Sequence, residues 1–163
     1  MERLTTISID KESHKFSAAH FTIFSATDRE RLHGHNFSVA AQIVAPVDAN
    51  GLTGDYAVYK AQIKKLCDAL DEYTLIPSQS PYLQVSEEGD YFRVQHDQDV
   101  LLLLKSDTLL IPVRNTTVED LSHYLLDTLV EDTAFLEAQD IREIEVLVSS
   151  GPGQTGSSYW ARG

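Results

Sequence analysis

The segment LHGHNFSVAAQIVAPV, residues 32–47, constrains the chain most. Its apolar residues recur at every second position, so His33, His35, Phe37, Val39, Ala41 and Ile43 share one face of a long strand. Two imidazoles therefore head an otherwise apolar row. They repel each other when protonated and gain little from packing together, so a metal ion would explain the pairing. It needs a third ligand. The preceding stretch, LTTISIDKESHKFSAAHFTIF, also reads as strand, alternating through Thr5, Ile7 and Ile9 and again through Phe16, Ala18 and His20. If the two strands pair as neighbours, His20 stands beside His33 and His35. Three imidazoles leave a fourth position open, which suits catalytic zinc. From H-x-H alone, an exposed pair holding no metal is an equal alternative.

The rest of the chain alternates helix and strand. Asp55 fits an N-cap, and Val58, Ile63, Leu66, Ala69 and Leu70 fall at helical spacing as far as about Glu72. From Pro77 to Pro112 the character is β, punctuated by EEGD and SD. TTVEDLSHYLLDTLVED reads as a helix with Val118, Leu121, Tyr124, Leu125 and Leu129 as its stripe. IREIEVLVSS alternates as a strand, and GPGQTG reads as a loop outside regular structure. The pattern predicts an α+β fold with mostly antiparallel strands, in a chain of 163 residues read as a single domain.

Charge and cysteine content narrow the partners. A formal net charge of −12 argues against nucleic acid and anionic membranes. Cys67 is the only cysteine, so no internal disulfide is possible, as suits a reducing cytosol. The opening MERLTTISIDKESHK has no signal-like apolar core, and VLLLL at 100–104 is too short to span a bilayer. A cytoplasmic location is the expectation.

FSAAHF, RERLHGHNF, GDYAVYKAQIKKLCDALDEYTLIP and NTTVEDL, in that order, resemble the 6-pyruvoyl-tetrahydropterin synthase and 6-carboxytetrahydropterin synthase family. The resemblance spans roughly 10–77 and 112–148, leaving a β-rich insertion at about 78–111. It implies a T-fold: an antiparallel sheet with two helices on one face, joined as homotrimers or homohexamers into a barrel, with active sites between subunits. It also implies that His20, His33 and His35 are zinc ligands and that a pterin is the substrate.

The chain departs from the common pattern at three positions. Arg29 stands where common members carry a cysteine, Glu72 where LDH would have its histidine after Asp71, and Ser150 (or Gly151) where a glutamate would anchor the pterin ring. Cys67 reads as a small packed side chain. One branch of the family instead carries a Glu three residues before HGH, in a motif like REKLHGHNY. Glu30 in RERLHGHNF matches it. That branch cleaves the side chain of 7,8-dihydroneopterin triphosphate to 6-hydroxymethyl-7,8-dihydropterin. Glu30 would act as base on a metal-activated hydroxyl, with its pKa raised by burial. The competing reading is a solvated residue in the charged run DRER.

The resemblance makes Glu119 the acceptor for pterin N–H groups, with Thr116, Thr117 and Ser150 as further substrate contacts. Thr116 to Glu119 also match a capping box. Asp71 and Glu72 are candidates for a relay, or charges in the last turn of a helix. His96 and His123 could supply the lost imidazole, though exposed positions suit both. A triphosphate would be repelled by the net charge, so zinc, Lys15, Arg29 and Arg31 would offset it locally. The leading expectation is a zinc-dependent pterin lyase of the side-chain-cleaving branch. The alternatives are a 6-carboxytetrahydropterin synthase-like enzyme of deazapurine synthesis and a metal-binding T-fold paralogue without catalysis.

Overall fold

A computed structural model describes residues 2–163. The first alternating stretch is two strands, β1 (Leu4–Ile9) and β2 (Lys15–His20), lying end to end along one edge of β3 (His33–Pro46). Ile9 faces Ala41 and Lys15 faces Ser38, so residues 10–14 loop out opposite Val39 and Ala40. The bulge shifts parity. Ile7 and Ile9 face the core before it, and Phe16, Ala18 and His20 after it.

The sheet continues in the order β10 (Gln154–Ala161), β9 (Glu143–Gly151), β3, β2, β4 (Tyr73–Pro77), β8 (Thr108–Ile111). Strand β4 runs parallel to β2, and β8 parallel to β4; the other pairs are antiparallel. The sheet remains open in the single chain, whose α+β architecture is that of the T-fold. Helices α1 (Tyr56–Asp68) and α2 (Val118–Val130) cover one face, and the short α3 (Thr133–Ala138) extends that cover. Phe16 and Phe37 stack beneath them at 5.0 Å. Each fully buried apolar side chain here contributes roughly 1.5–3 kcal/mol. Cys67, on the inner face of α1, is fully buried, and burial pushes its thiol up to about 12, so it packs rather than reacts.

Three readings are corrected. GPGQTG is a hairpin: β9 extends to Gly151, the chain turns at Pro152 and Gly153, and β10 begins at Gln154. Helix α1 is capped by Asp55, which accepts from the Ala57 N–H, but ends at Asp68 rather than near Glu72. His96 is buried and bonds the Ser25 carbonyl at 2.9 Å, whereas His123 is exposed as expected. Strands β5 (Gln84–Glu88), β6 (Tyr91–His96) and β7 (Asp99–Leu104) form a separate antiparallel sheet within the β-rich stretch. Its inner side chains pack around Phe21, Ile23, Ile76 and Val94. No helix among the described residues is long and apolar enough to cross a membrane.

His14, in the bulge, is buried, with no partner for Nδ1 among the described residues. Burial first, then Lys64 and Lys11, push its pKa below the ordinary 6.5. The unfolded chain therefore binds a proton at His14 more readily than the fold does, and stability rises with pH across the interval between the two pKa values. Acidification through pH 6.5 toward the lower folded value is expected to destabilise the protein, with His14→Gln flattening part of that slope in urea melts. An unchanged slope would show that His14 is not the group responsible.

Candidate metal centre and its pocket

The antiparallel register of β2 and β3 sets His20 directly opposite His33, and Ala18 opposite His35. Opposed residues share a face, so the three imidazoles converge where the core-facing row of β3 meets the end of the sheet. One ligand nitrogen from each lies within 4.8 Å of the others. The Phe37 ring stands edge-on to His20 at 5.3 Å and to His35 at 5.6 Å, closing the apolar side.

Two carbonyls fix the tautomers. His20 Nδ1–H donates to the Thr116 carbonyl at 2.7 Å, and His33 Nδ1–H to the Arg31 carbonyl at 2.6 Å. A carbonyl only accepts, so in the neutral rings both Nε2 atoms carry lone pairs. His20 Nε2 is buried with no partner among the described residues, which is costly unless a ligand takes it. Burial, aided by His33 and His35, lowers the His20 pKa; the Thr116 bond opposes this. The neutral, ligating form is thereby favoured. His33 and His35 bring their Nε2 atoms to 3.0 Å. A tetrahedral ion about 2.0–2.1 Å from each nitrogen would set that separation at roughly 3.3 Å. The donor set, the free lone pairs and the carbonyl supports therefore fit a zinc ion.

Glu30 is held beside this trio. Its backbone N–H donates to the Thr22 carbonyl at 2.8 Å, and the Thr22 N–H donates back to its Oε1 at 2.9 Å. Its Oε2 lies 3.9 Å from His33 Nε2. The loop bearing it is anchored by Asn115, whose side chain bonds both the N–H and the carbonyl of Ile23. Burial would raise the Glu30 pKa, but the Thr22 N–H and the His33 and His20 rings outweigh it and hold the carboxyl low. The expectation of a pKa raised by burial is corrected: burial acts in that direction but is outweighed.

A cleft of about 470 Å³ opens over His20, His35 and Glu30, within the range of small-molecule sites. The start of α2 forms one wall, with Thr117, Val118 and Glu119; the β9–β10 hairpin forms another, with Ser150, Gln154 and Thr155. Gly156 permits this approach, because a Cβ there would lie 2.9 Å from the Val118 carbonyl. The helix cap is Thr117, whose side chain accepts from the Asp120 N–H; Asp120 in turn accepts from the Arg114 and Asn115 N–H groups. The cap is thus Thr117 rather than Thr116, and Asp120 reaches back past it to residues 114 and 115 instead of closing a capping box, leaving Glu119 exposed on the cleft and outside the cap.

Other expected residues sit elsewhere. Thr116 is fully buried, its hydroxyl donating to the Phe21 carbonyl while its own carbonyl holds His20. Arg29 bonds Asp99 and the Glu30 carbonyl, both at 2.9 Å, and lies over Phe21, so its fork is already committed. Asp71 and Glu72 do not line the cleft. Asp71 accepts from the Ser17 N–H, and Glu72, in the left-handed region at φ 65°, donates its N–H to the Ser17 carbonyl. Sequence reasoning missed Asn115, Gln154 and Thr155. The first was visible only as an Asn shortly before a helix, and the others fell within the stretch read as loop.

A model of the family described as 6-pyruvoyl tetrahydropterin synthase matches residues 8–159. A Methanocaldococcus jannaschii protein provisionally named 6-carboxy-5,6,7,8-tetrahydropterin synthase is 26% identical over 148 residues, covering 89% of this chain and 88% of that one. The crystal structure of 6-pyruvoyl tetrahydropterin synthase from Plasmodium vivax superposes with a TM-score of 0.93 at 28% identity, covering 98% of this chain and 99% of that one. The same Plasmodium protein, described as carrying Cys or Ala in place of a catalytic glutamate, superposes equally at 27% identity and a TM-score of 0.93, with the same coverages of 98% and 99%.

Proposed function

The chain belongs to the 6-pyruvoyl tetrahydropterin synthase family, and we propose that it is a zinc-dependent lyase cleaving the side chain of 7,8-dihydroneopterin triphosphate to 6-hydroxymethyl-7,8-dihydropterin. The observation that carries this reading is Glu30, which shares a cleft with the His trio in a chain whose Cys67 is buried and inert. A catalytic glutamate in the Plasmodium vivax relative supports it.

His20, His33 and His35 would hold the ion. Zinc bound there would supply Lewis acidity, which makes a side-chain hydroxyl of the substrate easier to deprotonate. Glu30 takes the proton from the C2′ hydroxyl. As that oxygen becomes a carbonyl, the C1′–C2′ bond breaks and its electron pair passes through C1′ into the ring system. A proton returned to C1′ completes 6-hydroxymethyl-7,8-dihydropterin, and the remaining two carbons leave as a phosphorylated aldehyde. No oxidant is required.

Glu119 accepts hydrogen bonds from the pterin's amino and ring N–H groups, as an ionised carboxylate only accepts. Thr117 and Ser150 flank it, with Gln154 across the hairpin. Thr116 acts through His20. Arg31, exposed beside the trio, takes the phosphate role that Arg29 is not placed to fill, and Arg29 instead holds the Glu30 backbone. Asp71 and Glu72 take part only where a neighbouring subunit brings them to the cleft, consistent with assembly as a homotrimer or homohexamer. The open sheet edges at β10 and β8 support such assembly.

A 6-carboxytetrahydropterin synthase-like activity is the second reading, favoured by the name of the Methanocaldococcus relative. Mass spectrometry of products from zinc-loaded protein and 7,8-dihydroneopterin triphosphate separates the two. 6-Hydroxymethyl-7,8-dihydropterin is the expected product. A 6-carboxytetrahydropterin would move the assignment to the second reading, and turnover of no dihydropterin to the metal-binding, non-catalytic one.

A further inference from the structure

The small sheet β5–β6–β7 buries one face and leaves the other bare. Leu101 and Leu103 of β7 pack inward against the cluster around Phe21 and Val94. Their neighbours Val100, Leu102 and Leu104 point the opposite way and remain 44%, 53% and 42% exposed. Strand β7 is also the edge of its sheet, with β6 as its one strand partner among the described residues and the Leu104 carbonyl at its end accepting from the Thr108 hydroxyl. An exposed apolar edge strand is a template for another strand.

The sequence of this edge indicates which strand fits. Asp99-Val100-Leu101-Leu102-Leu103-Leu104-Lys105 is self-complementary when read against a reversed copy of itself. In a register centred on Leu102, Leu102 meets Leu102, Val100 meets Leu104 and Leu101 meets Leu103, while Asp99 at the start of β7 comes near Lys105, the first residue of the turn that follows the strand. The exposed row of one copy thus continues the exposed row of the other, and acid faces base at both ends. Asp99 is already bonded to Arg29 at 2.9 Å, and Lys105 lies 3.6 Å from Glu87. Each end of the seam would therefore be a chain of alternating charges. In a molecule of net charge −12, random contact between copies is repulsive, which gives a locally matched patch its selectivity.

We propose that β7 is a two-fold seam at which a second copy of this chain docks antiparallel about Leu102, joining two three-stranded sheets into one of six strands. Such an isologous contact doubles whatever assembly the rest of the surface forms. Alone it is smaller than the roughly 1,200–2,000 Å² of a stable interface. It gains strength where several seams close together between two already assembled rings.

Cysteine cross-linking tests both the contact and the register, because Cys67 is buried and silent. Mild oxidation is expected to convert most of Leu102→Cys into a covalent dimer, since residues opposed across a strand pair lie about 4.5–5.5 Å apart at Cβ. Val100→Cys alone should stay reduced, because its own copy lies roughly 13 Å along the strand at about 3.4 Å per residue. The Val100→Cys/Leu104→Cys double variant should cross-link. Leu102→Lys sets two like charges face to face and is expected to halve the native mass in light scattering while circular dichroism stays unchanged. The proposal is overturned if Leu102→Cys fails to cross-link, if Val100→Cys alone links as readily, or if a folded Leu102→Lys keeps the wild-type mass.

Discussion

Alanine at His33 or His35 is expected to strip the protein of nearly all its zinc, against about one zinc per chain in the wild type. Removing a group that merely orients a ligand typically costs about 10–100-fold in metal affinity, so removing a ligand itself should exceed that. His20→Ala should be the most damaging of the three. Its ring is 5% exposed, bonded to the Thr116 carbonyl and packed edge-on against Phe37, so truncation opens a void as well as a coordination gap. Metal analysis after exhaustive dialysis reads the effect without any activity assay. Thermal melts give a second reading, because an ion bound only by the folded state stabilises it by mass action. At free zinc about 1,000 times the dissociation constant the gain is about 4 kcal/mol. For a chain of this length that is roughly 8–16 °C in midpoint. Chelation should therefore lower the wild-type midpoint by that order and leave His20→Ala almost unmoved. Full zinc in both His33→Ala and His35→Ala would remove the centre from the trio.

The trio was legible because its physics is local. Period-two alternation puts His33 and His35 on one face whatever the rest of the chain does, and pairing of adjacent strands brings His20 opposite. Residues 4–20 read as a single strand and prove to be two, although the change of parity that separates them stands in the sequence. The inward row is odd at Ile7 and Ile9 and even at Phe16 and Ala18, which no continuous strand allows. The walls of the cleft were less visible. GPGQTG carries the glycines of a turn, and composition does not distinguish a free loop from a hairpin whose strands begin at once on either side. Gln154 and Thr155 enter the site only because β10 folds back over α2, a contact that the missing side chain of Gly156 permits. Arg29 misled for a similar reason. A cation beside a metal site reads as a phosphate ligand until Asp99, seventy positions away, is seen to hold it. Thr116 misled in the other direction, since a polar residue next to a helix start reads as a cap or a contact, whereas burial commits its hydroxyl and its carbonyl to Phe21 and His20.

Glu30→Gln is expected to lower turnover by about 10²–10⁴-fold, the range typical of a lost general base. At 1.36 kcal/mol per tenfold, that corresponds to roughly 2.7–5.4 kcal/mol of barrier. The substitution is nearly isosteric, and the amide oxygen can still accept from the Thr22 N–H that now holds Oε1 at 2.9 Å. Fold and zinc content should therefore be unchanged, and the loss should fall on kcat rather than KM, because the missing interaction is a proton transfer made only on the way to the transition state. Glu30→Asp keeps the carboxylate but withdraws it by one methylene, and should sit between wild type and Glu30→Gln. Arg29→Ala should cost less than Glu30→Gln, since it loosens the Glu30 carbonyl without removing the base. Glu72→Gln should also cost less, because its N–H serves the Ser17 carbonyl whichever side chain it bears. The ordering across the four variants separates a base from a bystander. A solvated carboxylate in a charged loop would give small, equal effects throughout, with zinc still bound. That outcome would leave the metal centre standing while withdrawing side-chain cleavage as its chemistry.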